Sequence, residues 1–229
     1  MKNFTLSIAT VLALSTFAVA SEDIKPTVGA SASESGFYIG GAYSMVKRDM
    51  NMHRNYGYTE GNDYNYYDSY NYDNNAYMLQ AGYQFNQYIA IEGRYWGAID
   101  SQESTYTRYI NGELDYTGDW SDGDWSAWGI YIKPMYPVTE TFSVYALLGY
   151  GNVSIDDEWY NDENLLDENV FQWGIGASYS IAENTSLFID YVRLCKDEGD
   201  SYVDGGYDYN TYDLDISIDT VNIGLSYKF

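Results

Sequence analysis

Four charged residues interrupt runs that are otherwise apolar or small. Glu92 and Arg94 lie in YIAIEGRYWG, Lys133 in WSAWGIYIKPMY and Asp190 in SLFIDYVRLC. Two acids against two bases is the balance that buried charge requires. Such a set can form a structural polar core or, in an open channel, a path for protons or ions. A second set could bind cations. Asp122 and Asp124 in DGDW, with Asp204 and Asp208 in DGGYDYNTYDLD, place carboxylates two or four residues apart. Hard cations such as Ca²⁺ take about six to eight oxygen ligands. Neither stretch completes the D-x-[DN]-x-[DN]-G-x₅-E loop. The plain reading is a solvated acidic surface, and the sharper one is weak divalent-cation binding. Acid–base catalysis has little to work with. His53 is the single histidine, flanked by Met52, Arg54 and Asn55, with no acid beside it. The expectation is no enzymatic activity and no cofactor. Gly40-Gly41 and GIGAS (Gly174 to Ser178) are not phosphate loops, because no helix follows them.

These residues are carried by segments that alternate with a period of two, the signature of strands with two unlike faces. Eight such segments run from Gly36 to Val46, Ala76 to Phe85, Tyr88 to Gly97, Trp125 to Tyr136, Phe142 to Gly151, Val170 to Ser180, Ser186 to Cys195 and Asp219 to Phe229. In the second, Tyr77, Leu79, Ala81, Tyr83 and Phe85 oppose Gln80, Gly82 and Gln84. The inward or outward phase of the fifth is not legible. The phase of the others turns Glu92, Arg94, Lys133 and Asp190 to the polar face. Glu92 and Lys133 lie at similar depth from their turns on neighbouring strands, which predicts a direct ion pair. Arg193 and Cys195 fall on the apolar face. Arg193 is near its outer end, within reach of lipid headgroups, and Cys195 reads as a small inert residue there.

Three connections are tight: Asn86-Gln87, Pro137 to Thr141 and Ala182 to Thr185. Four are long, at 47–75, 98–124, 152–169 and 196–218, and long and short strictly alternate. Long loops without structure are uncommon in compact domains. The four long ones hold 26 of the 34 acidic residues. A closed all-β, eight-stranded antiparallel up-and-down transmembrane β-barrel explains this asymmetry, with short turns on one side of a membrane and long loops on the other. An open sheet edge cannot exist in lipid, so the first strand must pair with the eighth. Polar groups are expected to fill the interior, which at eight strands is only wide enough for side chains. A soluble lipocalin-like barrel shares the alternation but leaves the loop asymmetry unexplained.

Composition agrees. The 28 tyrosines suit sheet surfaces and membrane interfaces, where a ring and a hydroxyl both find partners. Net charge of −23 makes nucleic acid a poor partner. Residues 1–20 read as a signal peptide: Lys2, an uncharged run from Phe4 to Phe17 and Ala18-Val19-Ala20. That run is short of the roughly 20 residues of a spanning helix, which disfavours an uncleaved anchor. Residues 21–35 read as a flexible periplasmic arm and 36–229 as the barrel. Cys195 is the only cysteine, so no internal disulfide can form.

The last strand alternates Val221, Ile223, Leu225, Tyr227 and Phe229 with Asn222, Gly224, Ser226 and Lys228. It resembles the C-terminal recognition strand of bacterial outer-membrane proteins, which ends on an aromatic residue. GFYIGGAYS and IEGRYWG likewise resemble the small eight-stranded family of the OmpA transmembrane domain, OmpX-like and opacity-type surface proteins. The resemblance implies a bacterial outer-membrane location, contact with outer-membrane lipid and lipopolysaccharide, and assembly by the barrel-assembly machinery. It is specific for architecture and poor for activity. The expected role is structural or surface interaction through acidic, Tyr-rich loops. A narrow porin for small solutes is the alternative, and a lipid-modifying enzyme a more distant one.

Overall fold

The computed structural model describes residues 35–57, 64–99, 102–122, 124–156, 164–199, 201–205 and 209–229. The leader read at 1–20 lies outside them, as does the arm read at 21–35 apart from Ser35. The described chain is built from strands: β1 (Gly36–Gly57), β2 (Tyr64–Asn86), β3 (Ile89–Ala98), β4 (Gln102–Ile110), β5 (Glu113–Asp122), β6 (Trp125–Pro137), β7 (Phe142–Asp156), β8 (Asn164–Ala182), β9 (Thr185–Glu198), β10 (Ser201–Gly205) and β11 (Tyr209–Lys228). No helix among the described residues is long and apolar enough to cross a membrane.

Eight of the strands close a ring in the order β1–β11–β9–β8–β7–β6–β3–β2 and back to β1. Each therefore has both edges paired, as a lipid surround demands. The seam joins the two ends of the described chain: Tyr38 sits opposite Lys228 and Gly57 opposite Tyr209. The Phe229 N–H donates to the Phe37 carbonyl at 2.9 Å, so even the last residue is seated in the wall.

The outer face is greasy. On β11 the outward set runs from Val221 to Phe229, about 26 Å of strand, or a band roughly 20–25 Å tall at a tilt of about 40°. Tyr43, Tyr77, Tyr95, Trp128, Tyr150 and Phe171 are exposed along its upper rim. Phe37, Phe85, Tyr136, Tyr179 and Phe229 are exposed along the lower, short-turn rim. Two aromatic girdles flanking an apolar band are what a bilayer selects. The fifth wall strand, β7, turns Tyr145, Leu147, Val153 and Ile155 inward and exposes Leu148 and Tyr150.

Two expectations need correction. First, polar groups do not fill the whole interior: the ion-pair network lies toward the short-turn end, and higher up Arg48 is buried with its guanidinium 3.9 Å from the centre of the Tyr72 ring. Above the network lies an apolar core that includes Val46, Met50, Met78, Trp125, Val153, Ile155, Val192, Leu194, Ile216 and Ile218. Room for such packing comes in part from Gly129, where a Cβ would collide with Gln172 Oε1 and the Tyr131 hydroxyl.

Second, the four stretches read as loops are largely strand. β1 and β2 run past the band as a hairpin across 47–75, and β4 and β5 occupy most of 98–124. Above the wall the order β10–β11–β1–β2–β4–β5 makes an open sheet. Tyr and Thr favour extended backbone, and the face these strands bury carries Asp68, Tyr72 and Tyr106, so they form without an apolar stripe to announce them. Asn111 and Gly112 have φ of 52° and 83°, the left-handed pair that a two-residue type I′ hairpin needs. Asn111 also pins the hairpin tip to β2. Its Oδ1 accepts the Asn65 N–H at 2.9 Å, and its own N–H donates to the Asn65 carbonyl at 2.8 Å.

Candidate functional site

The lumen holds one continuous polar network. Arg94 on β3 donates Nε to Glu92 at 2.6 Å and spans the barrel to Asp190 on β9, with two bonds of 3.0 and 2.8 Å. Glu92 also accepts from Lys133 on β6 at 2.7 Å and from the Tyr38 hydroxyl at 2.6 Å. Asp190 accepts from Tyr145 and from Asn222, each at 2.7 Å. Asn222 in turn accepts from Ser44 and from the Trp96 indole. The Lys133 ammonium lies 4.2 Å from the centre of the Tyr145 ring. Two carboxylates and two cations are thus neutralised and hydrogen-bonded across the full width of the barrel. Side chains packed this way fill the lumen at this level. Tyr38, Tyr145, Asn222 and Trp96 belong to it and were not singled out in the sequence. Their signal was only a polar tip at an inward position.

A second cluster lies about 30 Å of strand beyond the band, counting from Tyr77 to Asp68 on β2. Alternation carries the barrel's inner face onto the open sheet, and there β1, β2 and β4 bring Arg54, Asp68 and Arg108 together. Asp68 is fully buried and accepts from Arg54, from Arg108 Nε at 2.8 Å and from the Tyr106 hydroxyl at 2.8 Å. Burial alone would push its carboxyl up. Hydrogen bonds from Arg108, Tyr106 and Arg54 outweigh burial and hold it below the ordinary carboxylate range. Above this knot opens a cleft of about 250 Å³ lined by Arg54, Tyr56, Tyr64, Tyr66 and Arg108. The rings are mutually braced, with Tyr56 and Tyr66 centroids 5.5 Å apart and Tyr64 and Tyr66 6.4 Å apart. Among the described residues of this knot, one carboxylate lies between two guanidiniums, a local charge of about +1 in a strongly acidic protein.

A closed ring with a filled lumen and an apolar outer band is the geometry of a bacterial outer-membrane barrel. The family model for the outer membrane protein beta-barrel domain matches residues 9–229. The chain belongs to this family. No curated protein matches the sequence. Among solved structures, this outer-membrane barrel is similar to OprG of Pseudomonas aeruginosa, at 16% identity and TM-score 0.55 over 85% of this chain and 96% of that one. It is also similar to AlkL, solved in lipid bilayers, at 15% identity and TM-score 0.51 over 91% and 97%. Ail of Yersinia pestis, in complex with a heparin analogue, matches at 16% identity and TM-score 0.39 over 82% and 99%. At these identities the likeness speaks to the fold alone. The family places the protein in the bacterial outer membrane.

The remaining sequence-predicted residues fall as follows. In the outer-membrane barrel, Val221, Ile223, Leu225 and Tyr227 face outward between β1 and β9, and Phe229 packs on Tyr227 at 5.1 Å. Asp124 is exposed. Asp208, and the side chains of Asp122 and Asp204, lie outside the described residues. Among the described residues no three His, Cys, Asp or Glu side chains gather into a possible metal site. His53 Nε2 lies 3.1 Å from Asn65 Oδ1, and its ring is 6.5 Å from Tyr67. Across the β1–β11 pairing Asp213 sits opposite His53, so the cross-strand neighbour of the imidazole is an acid. Arg193 does not extend free toward headgroups. It grips Asp219 through bonds of 2.8 and 3.0 Å, and Tyr191 donates to the same carboxylate at 2.6 Å. Cys195 is buried rather than outward, with its sulfur 3.8 Å from the Ile216 carbonyl oxygen. Register shifts between Ile216, Ile218 and Asp219 break the alternation and bury Leu194 and Cys195 in succession.

Proposed function

We propose that this outer-membrane barrel is a surface-interaction protein. Its wall anchors an extracellular sheet, and the sheet makes the functional contact. The supporting observation is a contrast within one molecule. The lumen is filled by side chains, an ion-paired network below and a largely apolar core above, whereas the Tyr- and Arg-lined cleft on the sheet is open to solvent. Rigid aromatic residues offer large contact area at small entropy cost, as they do in binding loops generally. The sheet rises from the rim where long extensions are extracellular in this architecture. The acidic rim and the outer leaflet put lipopolysaccharide beside it as a standing partner. During biogenesis, the terminal strand ending in Phe229 serves as the signal read by the barrel-assembly machinery.

The alternative is a narrow porin, and it requires the side chains in the lumen to move. A lipid-modifying enzyme would need a nucleophile as well as an acid near His53, whose neighbours are Asn65, Tyr67 and, across the strand pairing, Asp213. The test is a binding screen of intact protein against immobilised glycans, matrix proteins and lipopolysaccharide. The control is a variant in which residues 49–73 and 102–122 are replaced by short turns. Sheet-dependent binding supports the proposal. Equal binding by both forms, or by neither, refutes it.

A further inference from the structure

The surface reading leaves the ligand open, and the cleft on the sheet narrows it. We propose that the cleft between Arg54, Arg108 and the tyrosines at positions 56, 64 and 66 binds a single carboxylated sugar residue, of the uronic-acid class. This inference rests on the surface-interaction reading above.

Four observations converge. The first is charge. Arg54 and Arg108 share Asp68, so among the described lining residues two guanidiniums face one carboxylate. A ligand carboxylate matches the second guanidinium one for one.

The second is geometry. Arg108 commits Nε to Asp68, its side chain remains 35% exposed, and its terminal fork borders the cleft. That fork matches a planar carboxylate with two parallel hydrogen bonds. Arg54 donates to the other oxygen of Asp68, and its side chain lines the same cleft.

The third is shape. About 250 Å³ lies below the roughly 300–1,000 Å³ typical of drug-sized sites, so the cleft suits one ring and not a chain. The tyrosine rings supply flat apolar faces with hydroxyl tips, which suit a pyranose that has an apolar face and polar edges.

The fourth is the surrounding field. With a net charge of −23, the protein repels densely charged polyanions over the range that salt leaves unscreened. A ligand with one carboxylate per ring suffers this least, and a heavily sulfated one suffers it most. The acidic field and the basic cleft together act as a filter for weakly charged acidic sugars.

The experiment uses the intact protein in detergent micelles, titrated by calorimetry with trigalacturonate, maltotriose, sodium acetate and a densely sulfated disaccharide. Saturable binding of trigalacturonate is expected, with the other three at least about tenfold weaker. Arg108→Gln should weaken trigalacturonate binding by roughly tenfold or more, the scale of one charge-assisted hydrogen bond. Arg108→Lys should recover little, because it restores charge without the fork. Tyr64→Ser, at an exposed tip, should weaken binding without touching the Asp68 knot. Circular dichroism of each variant checks the fold. Equal binding of acetate would show a bare anion hole and overturn the sugar assignment. Tighter binding of the sulfated disaccharide, or no trigalacturonate binding, would overturn it as well. If the surface screen finds sheet-dependent ligands while trigalacturonate fails, only the sugar assignment is lost. If the screen also fails, the surface reading goes with it.

Discussion

Arg94 is the keystone of the lumen, and its removal can be worked through. Arg94→Met deletes three charge-assisted hydrogen bonds, one to Glu92 and two to Asp190. Glu92 keeps Lys133 and Tyr38 as partners. Asp190 keeps only the neutral donors Tyr145 and Asn222. The network therefore passes from neutral to one net negative charge, held on a fully buried carboxylate. Breaking a buried pair from one side costs about 3–5 kcal/mol. At a denaturant slope near 2 kcal/mol per M, that lowers the urea midpoint by roughly 2 M. The assay is reversible urea unfolding from lipid vesicles, followed by Trp fluorescence. The second arm is Arg94→Met with Asp190→Asn, which leaves Glu92 against Lys133 and restores neutrality. It should regain about 2 kcal/mol over the single variant. A single-variant cost below about 1 kcal/mol would refute the reasoning. So would a double variant no more stable than Arg94→Met.

Three further outcomes follow from other parts of the molecule. Asp68 has a folded pKa lowered by Arg108, Tyr106 and Arg54 against the pull of burial, so it contributes stability above its unfolded pKa and loses it as pH falls. Arg108 and Tyr106 side-chain resonances should shift together below about pH 4, and Asp68→Asn should abolish that titration. Gly112→Val places a β-branched residue at a φ of 83°, and should loosen the β4–β5 hairpin by about 1–3 kcal/mol while leaving the barrel melt unchanged. Faster amide exchange confined to residues 102–122 is the readout. Phe229→Ala should lower the folded fraction reaching the outer membrane in cells, while refolding of purified protein into detergent changes little.

Some of this was legible in the sequence and some was not, for physical reasons. The wall strands show themselves because lipid outside and side chains inside impose opposite chemistries on alternate residues. Parity alone turns Glu92, Arg94, Lys133 and Asp190 inward, where the structure finds them. Parity cannot say which pairs meet across the ring. Glu92 and Lys133 could be matched by depth on adjacent strands, whereas Arg94 and Asp190 are brought together only by closure. The strands beyond the wall lacked contrast, since Tyr, Asn and Asp alternate with residues that are also polar. One local signal was present and unused: Asn111-Gly112 between Tyr109-Ile110 and Glu113-Leu114 is a strong short-range mark of a hairpin. It would have turned the second long loop into β4 and β5. The Arg54–Asp68–Arg108 knot could not be read, because it depends on the register of three strands at once. The apolar upper lumen was missed for a different reason. Apolar residues such as Ile216 and Ile218 occupy inward positions just beyond the band, where a polar filling was assumed.

Planar-bilayer recording of the full-length barrel tests the central claim most directly. With the lumen sealed by the Glu92–Arg94–Asp190–Lys133 network below and the apolar core above, the protein should show no stable conductance steps in 1 M KCl, and Arg94→Met should not open one while Trp96 and Tyr131 remain packed edge to face inside the wall. Stable, reproducible steps from the unmodified protein would contradict the account and make the porin reading the better one.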